Sequence, residues 1–175
     1  MERLLLRMFQ RQVLLQCKFV QMAAAQLNDS LRERNSEATF YALQNLLNAA
    51  ANISKVLWGQ SGRLTSERKA VRDSIGIQDD SPFQTVTMRN NYEHFDDRID
   101  TWWQQSKRHN AADCNIMPRA EIRGIDDIDR FRAFDPVTND LSFWGQDFNV
   151  QELIDEVQRI FPKLKEEASK PHWVT

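Results

Sequence analysis

The residue types that could do chemistry in this chain are concentrated in one segment, Arg89-Asn90-Asn91-Tyr92-Glu93-His94. Arginine is a fixed cation that binds phosphate through a planar fork of donors, and histidine exchanges protons near neutral pH. His94 follows Arg89 by five positions, so a helix would place both side chains and the amide of Asn90 within two turns. Such groups could move a proton and stabilise charge developing on a phosphate. This set predicts RNA cleavage without a metal ion or other cofactor.

The numbering of the segment also predicts which way its side chains face. An α-helix turns about 100° per residue. On that projection Asn90 and His94 lie roughly opposite the apolar residues, and Arg89 lies at the edge between the two sides. The predicted core face consists of Met88, Tyr92, Phe95 and Ile99. We therefore expect Asn90 and His94 to face solvent, a cleft or another subunit.

Two long helices should precede this segment. Apolar residues recur at steps of three and four over 3–28, which indicates one buried stripe along a helix. A second helix is predicted over 36–59, with Ser36 as its N-cap. The first stripe contains Leu6, Phe9, Val13, Cys17, Val20, Ala24 and Leu27. The second contains Phe40, Leu43, Leu47, Ala50, Ile53 and Leu57.

The rest of the chain predicts shorter elements and one more long helix. A short helix near 65–75 would be capped by Thr65 or Ser66 and stopped by Gly76. A fourth helix should run from about 82 to 107 and carry the Arg89–His94 segment. A turn-rich stretch between two apolar runs predicts a small hairpin within 130–144. A final helix should cover 150–168, started by Asn149.

These elements predict an all-α fold, an antiparallel helical bundle with a small C-terminal β-hairpin and a final helix. We divide the chain into a bundle over 1–107 and a C-terminal extension over 108–175 that packs on the same domain. The net charge of −2 excludes a broad basic field for holding nucleic acid. No stretch approaches the ~20 apolar residues of a membrane span, and two distant cysteines fit a reducing compartment. We expect a cytoplasmic protein.

The segment Arg89-Asn90-x-x-x-His94 resembles the Arg-x4–6-His motif of the HEPN superfamily, in which a polar residue, often asparagine, follows the arginine. The resemblance covers roughly residues 1–107, since the motif of that superfamily lies near the start of a late, long helix of a bundle. It implies a metal-independent endoribonuclease, plausibly a toxin or an antiviral defence component. An antitoxin or a defence-system protein would then be a possible partner.

The resemblance also assigns roles to the residues of the motif. His94 would transfer a proton at the ribose 2′-hydroxyl or the leaving 5′-oxygen, Arg89 would stabilise the phosphate charge, and Asn90 would orient the phosphate or the histidine. Members of the superfamily pair two motifs across a two-fold axis, which implies a homodimer through the Arg89–His94 helix. Weaker RNA contacts are assigned to Arg98, Lys107 and Arg108. Some related toxins carry a tyrosine two residues after the histidine, where this chain has Asp96.

Two other interpretations remain open from the sequence. The chain could be a non-catalytic, dimeric helical interaction module that shares the fold, or the motif could be a coincidence on an unrelated scaffold. Coincidence predicts that Arg89 and His94 point to open solvent with no cleft. We predict no metal site: His109 and Cys114 are too few for zinc, and the acidic stretch 126–129 is interpreted as a solvated turn or as charge near a helix end.

Overall fold

The computed structural model describes residues 1–85, 87–121, 123–171 and 173. Within these ranges it contains six α-helices and a four-stranded sheet. The helices are α1 (Arg3–Arg32), α2 (Ser36–Trp58), α3 (Lys69–Ile75), α4 (Thr87–Glu93), α5 (Phe95–Gln105) and α6 (Val150–Ser169). The strands are β1 (Asn115–Ile116), β2 (Arg132–Asp135), β3 (Asp140–Phe143) and β4 (Gln146–Asn149). The fold is therefore mostly helical, as predicted, with more β-structure than predicted.

Helices α1 and α2 form a hairpin at the centre of the molecule, and α6 packs along α1. All six residues of the predicted α2 stripe are buried. Of the α1 stripe, Val13, Cys17, Val20 and Leu27 are buried, while Leu6, Phe9 and Ala24 pack partly buried against the same core. The three-and-four spacing thus identified the faces on which these helices meet.

The caps of α2 and α3 differ from the prediction. Asn35, not Ser36, caps α2, because its side-chain oxygen accepts a hydrogen bond from the Ala38 amide at 3.0 Å. The Ser36 hydroxyl instead donates to the Cys114 carbonyl at 3.0 Å, which ties α2 to the segment before the sheet. Helix α3 begins after Arg68 without a side-chain cap, so the proposed Thr65 or Ser66 cap is wrong. Gly76 ends α3 in a left-handed conformation, as predicted.

The predicted hairpin is part of a larger sheet of order β1-β2-β3-β4. Strands β2 and β3 pair antiparallel, with Phe134 opposite Leu141, as the alternation of apolar residues predicts. Strand β4 pairs antiparallel with β3 through a two-residue turn at Trp144-Gly145, in which both residues have positive φ, the geometry that matches strand twist. Strand β1 adds a parallel edge to β2. Alternation did not reveal the outer strands, because β1 has only two residues and β4 contains one apolar residue, Phe148.

The predicted fourth helix is broken. A 3₁₀ turn covers Pro82–Gln84, α4 ends at Glu93, and α5 begins at Phe95. Residue 86, which the predicted helix included, lies outside the described residues, as do 122, 172, 174 and 175 of the predicted extension. His94 joins the two helices with φ −104° and ψ 41°. The prediction of one continuous helix over 82–107 is therefore wrong.

One buried apolar cluster contains residues from both predicted segments of the chain. It joins Val13 of α1 and Leu43 of α2 with Phe134 of β2, Leu141 of β3 and Leu153 of α6. The Asn149 side chain caps α6 by accepting from the amides of 151 and 152, as its sequence indicated. The division at residue 107 stays a prediction. Among the described residues, no helix combines the length and apolar character needed to cross a bilayer.

Candidate functional site

A cleft of about 710 Å³ lies between the C-terminal end of α2 and the α4–α5 junction. The three residues singled out by sequence, Arg89, Asn90 and His94, all line it, and so does Arg98. Its opposite wall comes from α2 and the 59–62 turn that follows. The structure therefore brings four predicted site residues to one concavity.

Arg89 is partly buried and engaged with its neighbours. Its guanidinium forms an ion pair with Glu93, one helical turn later, and donates to the Asn90 side-chain oxygen at 3.2 Å. Its Nε is buried and has no hydrogen-bond partner among the described residues. If the Glu93 carboxylate moved away, the N–H groups of the Arg89 guanidinium would be available to bind a phosphate.

His94 lies at the break between α4 and α5 with 59% of its side chain exposed. The projection onto a continuous helix correctly placed it away from the core. Its Nδ1 lies 3.8 Å from the Asp97 carboxylate, which is too long for a hydrogen bond. The imidazole is therefore exposed at the cleft without a hydrogen bond to Asp97.

The core face of the segment is only partly as predicted. Met88 and Tyr92 are buried, and burial raises the pKa of Tyr92 well above its usual range, so the phenol stays neutral. Phe95 is partly buried, and its ring centroid lies 5.4 Å from that of Phe131. Ile99 is 44% exposed. The break at His94 changes the axis after α4, so a projection that assumes one helix fails beyond it.

Sequence reasoning overlooked the buried amide of Asn91. Its side-chain oxygen accepts a hydrogen bond from Arg98 Nε at 3.2 Å, and the Arg98 guanidinium lies 5.9 Å from the Trp144 ring. The two contacts come from α4 and from the β3–β4 turn, so the sheet helps to position a cation at the cleft. The signal in the sequence was a polar residue at a position that helical spacing places next to the core face.

Lys55 of α2 is a charged cleft residue that sequence reasoning missed. It lines the cleft together with Arg89 and Arg98, whereas Glu93 is the carboxylate among the lining residues. The cleft is therefore locally cationic in a chain whose net charge is −2. Charges of one sign in a concavity concentrate field and attract an anion. Only the packing of α2 against α4 reveals this, since 34 positions separate Lys55 from Arg89.

Lys107 and Arg108 do not line the cleft. Lys107 is exposed, and Arg108 Nε lies 3.9 Å from the Asp126 carboxylate. Their predicted role in binding RNA has no geometric link to the Arg89–His94 segment. Among the described residues, no group of three His, Cys, Asp or Glu side chains is arranged to hold a metal ion.

In the acidic stretch 126–129, Asp126 and Asp127 are largely exposed, as the interpretation as a solvated turn predicts, but Asp129 is buried. Asp129 Oδ1 accepts hydrogen bonds from Ser106 Oγ at 2.5 Å and Trp102 Nε1 at 2.8 Å. The bond from Ser106 is the main reason that the pKa of Asp129 lies below its usual range. Asp129 therefore fastens the end of α5 to the segment before β2. Trp102 packs partly buried against the core, while Trp103 is exposed.

In comparisons with protein-family models, curated proteins and solved structures, none matches this chain.

Proposed function

We propose that the cleft is the active site of a metal-independent endoribonuclease of the HEPN type, and that the protein acts as a toxin or an antiviral defence component. The observation that carries the proposal is the convergence of Arg89, Asn90, His94 and Arg98 on one cationic cleft. Residue type and spacing define the motif independently of the cavity. Its interpretation as a coincidence predicts no cleft, so the cleft argues against that interpretation.

In the proposed reaction, the 2′-oxygen of a ribose attacks the adjacent phosphorus while the bond from phosphorus to the 5′-oxygen breaks. His94 removes the 2′-hydroxyl proton or, in its protonated form, supplies a proton to the leaving 5′-oxygen. Water supplies or accepts the balancing proton. The products are a 2′,3′-cyclic phosphate and a 5′-hydroxyl. DNA has no 2′-hydroxyl, so it is not a substrate.

The cations of the cleft would bind the scissile phosphate. Arg89 exchanges its contact with Glu93 for the phosphate oxygens, to which its planar fork is complementary. Arg98, held by Asn91 and Trp144, and Lys55 from the facing wall add charge that strengthens as the phosphorane forms. These contributions from one chain supplement a single motif. A second motif, supplied by a homodimer through the Arg89–His94 helix, remains part of the proposal.

The test is incubation of the purified protein with mixed-sequence single-stranded RNA in EDTA, with DNA of the same sequence alongside. We expect RNA cleavage that falls about 100-fold or more in His94→Ala and Arg89→Ala. Lys55→Ala and Arg98→Ala should lose roughly tenfold, the scale of a single binding contact. Lys107→Ala is the matched control, a cation outside the cleft, and should retain full activity. Cleavage that survives both His94→Ala and Arg89→Ala would contradict the assignment.

The second candidate is a non-catalytic, dimeric helical interaction module with the same fold. The ion pair of Arg89 with Glu93 favours it, because the arginine of the motif already has a partner within α4, and the Asp97 carboxylate lies 3.8 Å from His94 Nδ1. This candidate predicts that the wild-type protein leaves every RNA intact. It also predicts that Glu93→Gln, which frees Arg89, creates no cleavage. The endoribonuclease proposal predicts undiminished or increased cleavage in Glu93→Gln.

A further inference from the structure

Helix α1 carries a second apolar stripe on the side away from the core. Its members are exposed: Leu5 by 42%, Met8 by 59%, Leu15 by 43%, Phe19 by 43% and Met22 by 67%. A helix of a monomer normally presents polar residues to solvent on this side. A continuous apolar stripe here indicates a surface that is covered by something else.

The spacing of the stripe is that of a coiled-coil seam. Positions 5, 8, 12, 15, 19, 22 and 26 alternate in steps of three and four, which keeps one line of side chains along a helix. Five of these positions are apolar, and the other two are Gln12 and Gln26. No charged side chain lies in the line. Uncharged polar residues at such positions favour a defined register at a cost in stability.

Helix α2 widens the stripe into a groove. A concavity of about 390 Å³ lies between the two helices, lined by Phe19 and Met22 from α1 and by Tyr41, Asn45 and Asn48 from α2. Tyr41 is 60% exposed. No charged residue lines the groove. We call the five exposed residues of the α1 stripe, together with Tyr41, the α1 face.

The α1 face has the composition of the centre of a protein interface. Each of its six side chains is at least 42% exposed, and none is charged. The buried centres of specific interfaces are depleted in charged residues and enriched in aromatic residues and methionine. The α1 face, with Phe19, Tyr41 and two methionines, fits that description.

We propose that the α1 face binds the α1 face of a second copy of this chain, forming an isologous dimer. A heptad stripe is complementary to itself, because each apolar side chain enters a hole between four residues of an identical helix. Two copies also bring no like charges together along the line. The inference does not depend on RNA cleavage.

The α1 face shares no residue with the cleft, although both use α2. The cleft takes Ala51, Lys55 and Trp58 near the end of that helix, and the groove takes Tyr41, Asn45 and Asn48 nearer its start. The dimer proposed here therefore differs from one formed through the Arg89–His94 helix. Substitutions on one surface leave the other intact.

The experiment is sedimentation velocity of the purified chain, without RNA, over about 1–100 µM. We expect the wild type to sediment at a multiple of the 20.5 kDa chain mass, and Leu15→Glu and Met22→Lys each to halve that mass, since a charge in the seam must be desolvated. A halved mass is expected whether or not the chains also pair through the Arg89–His94 helix. Val137→Glu is the matched control, because Val137 is 74% exposed but lies in the β2–β3 turn. It should keep the wild-type mass. Far-UV circular dichroism checks that each variant is folded.

Three results would overturn the proposal. The first is a wild-type chain that remains monomeric up to 100 µM, which would assign the α1 face to a different protein. The second is a wild-type mass that both folded α1 variants keep unchanged. The third is a dimer that Tyr92→Ala or Arg89→Ala abolishes while Leu15→Glu leaves it intact, because that pattern would place the interface on the Arg89–His94 helix.

Discussion

At the residue scale, ion pairs and hydrogen bonds decide where the cations of this chain point. Asn91 and Trp144 direct Arg98 to the cleft, and Glu93 holds Arg89 at its edge. Arg132, in contrast, does not line the cleft. It forms a bidentate contact with Asp113, which precedes β1, and its guanidinium lies 4.5 Å from the Phe95 ring. The same residue type thus serves either the site or the fold, depending on the carboxylate or amide beside it.

The Asp113–Arg132 pair should make stability depend on pH. Burial alone would raise the pKa of Asp113, but hydrogen bonds from the Arg132 side chain and backbone and its positive charge hold that pKa below its usual range. In the unfolded chain the pKa of an aspartate is ~3.9, so a lower pKa in the folded protein stabilises the fold above that pH. This stabilisation is lost as the pH falls through the pKa of the folded state. We expect Asp113→Asn to cost about 1 kcal/mol at pH 7 and less below pH 4.

Urea unfolding of both proteins at pH 7 and at pH 3 measures this difference. Asp100→Asn is the control, because it removes a charge from an exposed position on α5. The two proteins should differ less in free energy of unfolding at pH 3 than at pH 7. An equal difference at both pH values would show that the pair does not stabilise the fold through its charge.

At the element scale, the break at His94 and the turn after α2 shape the cleft. The break coincides with a change of packing partner. Met88 and Tyr92 of α4 are buried in the core, whereas Phe95 and Trp102 of α5 pack on Phe131 next to the sheet. The histidine at the junction is consequently exposed at the cleft rather than lying along one helix.

Gly59 ends α2 and forms part of the cleft wall, so its backbone should be sensitive to substitution. It has φ 77° and ψ 170°, a conformation essentially restricted to glycine, and a Cβ there would lie 2.7 Å from Leu64 Cβ. We expect Gly59→Ala to destabilise the protein by about 3 kcal/mol or more, from strain plus the clash.

Gly124 provides the matched control for Gly59. It has a similar φ of 74°, but a Cβ there meets no atom of the described residues within 4 Å. Gly124→Ala should therefore cost only about 1–2 kcal/mol from its left-handed backbone. Chemical denaturation of the two variants compares them. If both variants lost the same free energy of unfolding, the close approach of Leu64 to the end of α2 would add nothing to the cost of a Cβ at Gly59.

At the scale of the whole molecule, one core joins the helices to the sheet. Cys17 reports on that core, because it is fully buried in α1. Burial, reinforced by the negative charge of Glu156, raises the pKa of its thiol to about 12. In native protein at pH 7, a Cys114→Ser variant should therefore react with a thiol reagent at least about 100-fold more slowly than the same chain in urea.

A comparison of the reaction rates across a urea series would show how Cys17 becomes exposed. If Cys17 becomes reactive at the same urea concentration at which the far-UV circular dichroism signal is lost, then α1 leaves the core only when the whole domain unfolds. Rapid labelling of Cys17 in the absence of urea would contradict its place in a single cooperative core.

The sequence by itself determined the helices with long stripes, the β2–β3 pairing and the α6 cap at Asn149, because these depend on periodicity and on contacts within a few residues. It also selected Arg89, Asn90 and His94 by type and spacing. Their function stays a proposal, as does the dimer.

Tertiary structure decided what depends on packing between distant segments. The break at His94 reflects which elements α4 and α5 pack against, and local propensity does not contain that information. Likewise Lys55 and Arg89 are far apart in the chain, so only the approach of α2 to α4 makes them two walls of one cleft. The buried Asp129 looked like part of a solvated acidic turn until Ser106 and Trp102 were placed beside it, since the cost of burying a charge depends on its partners.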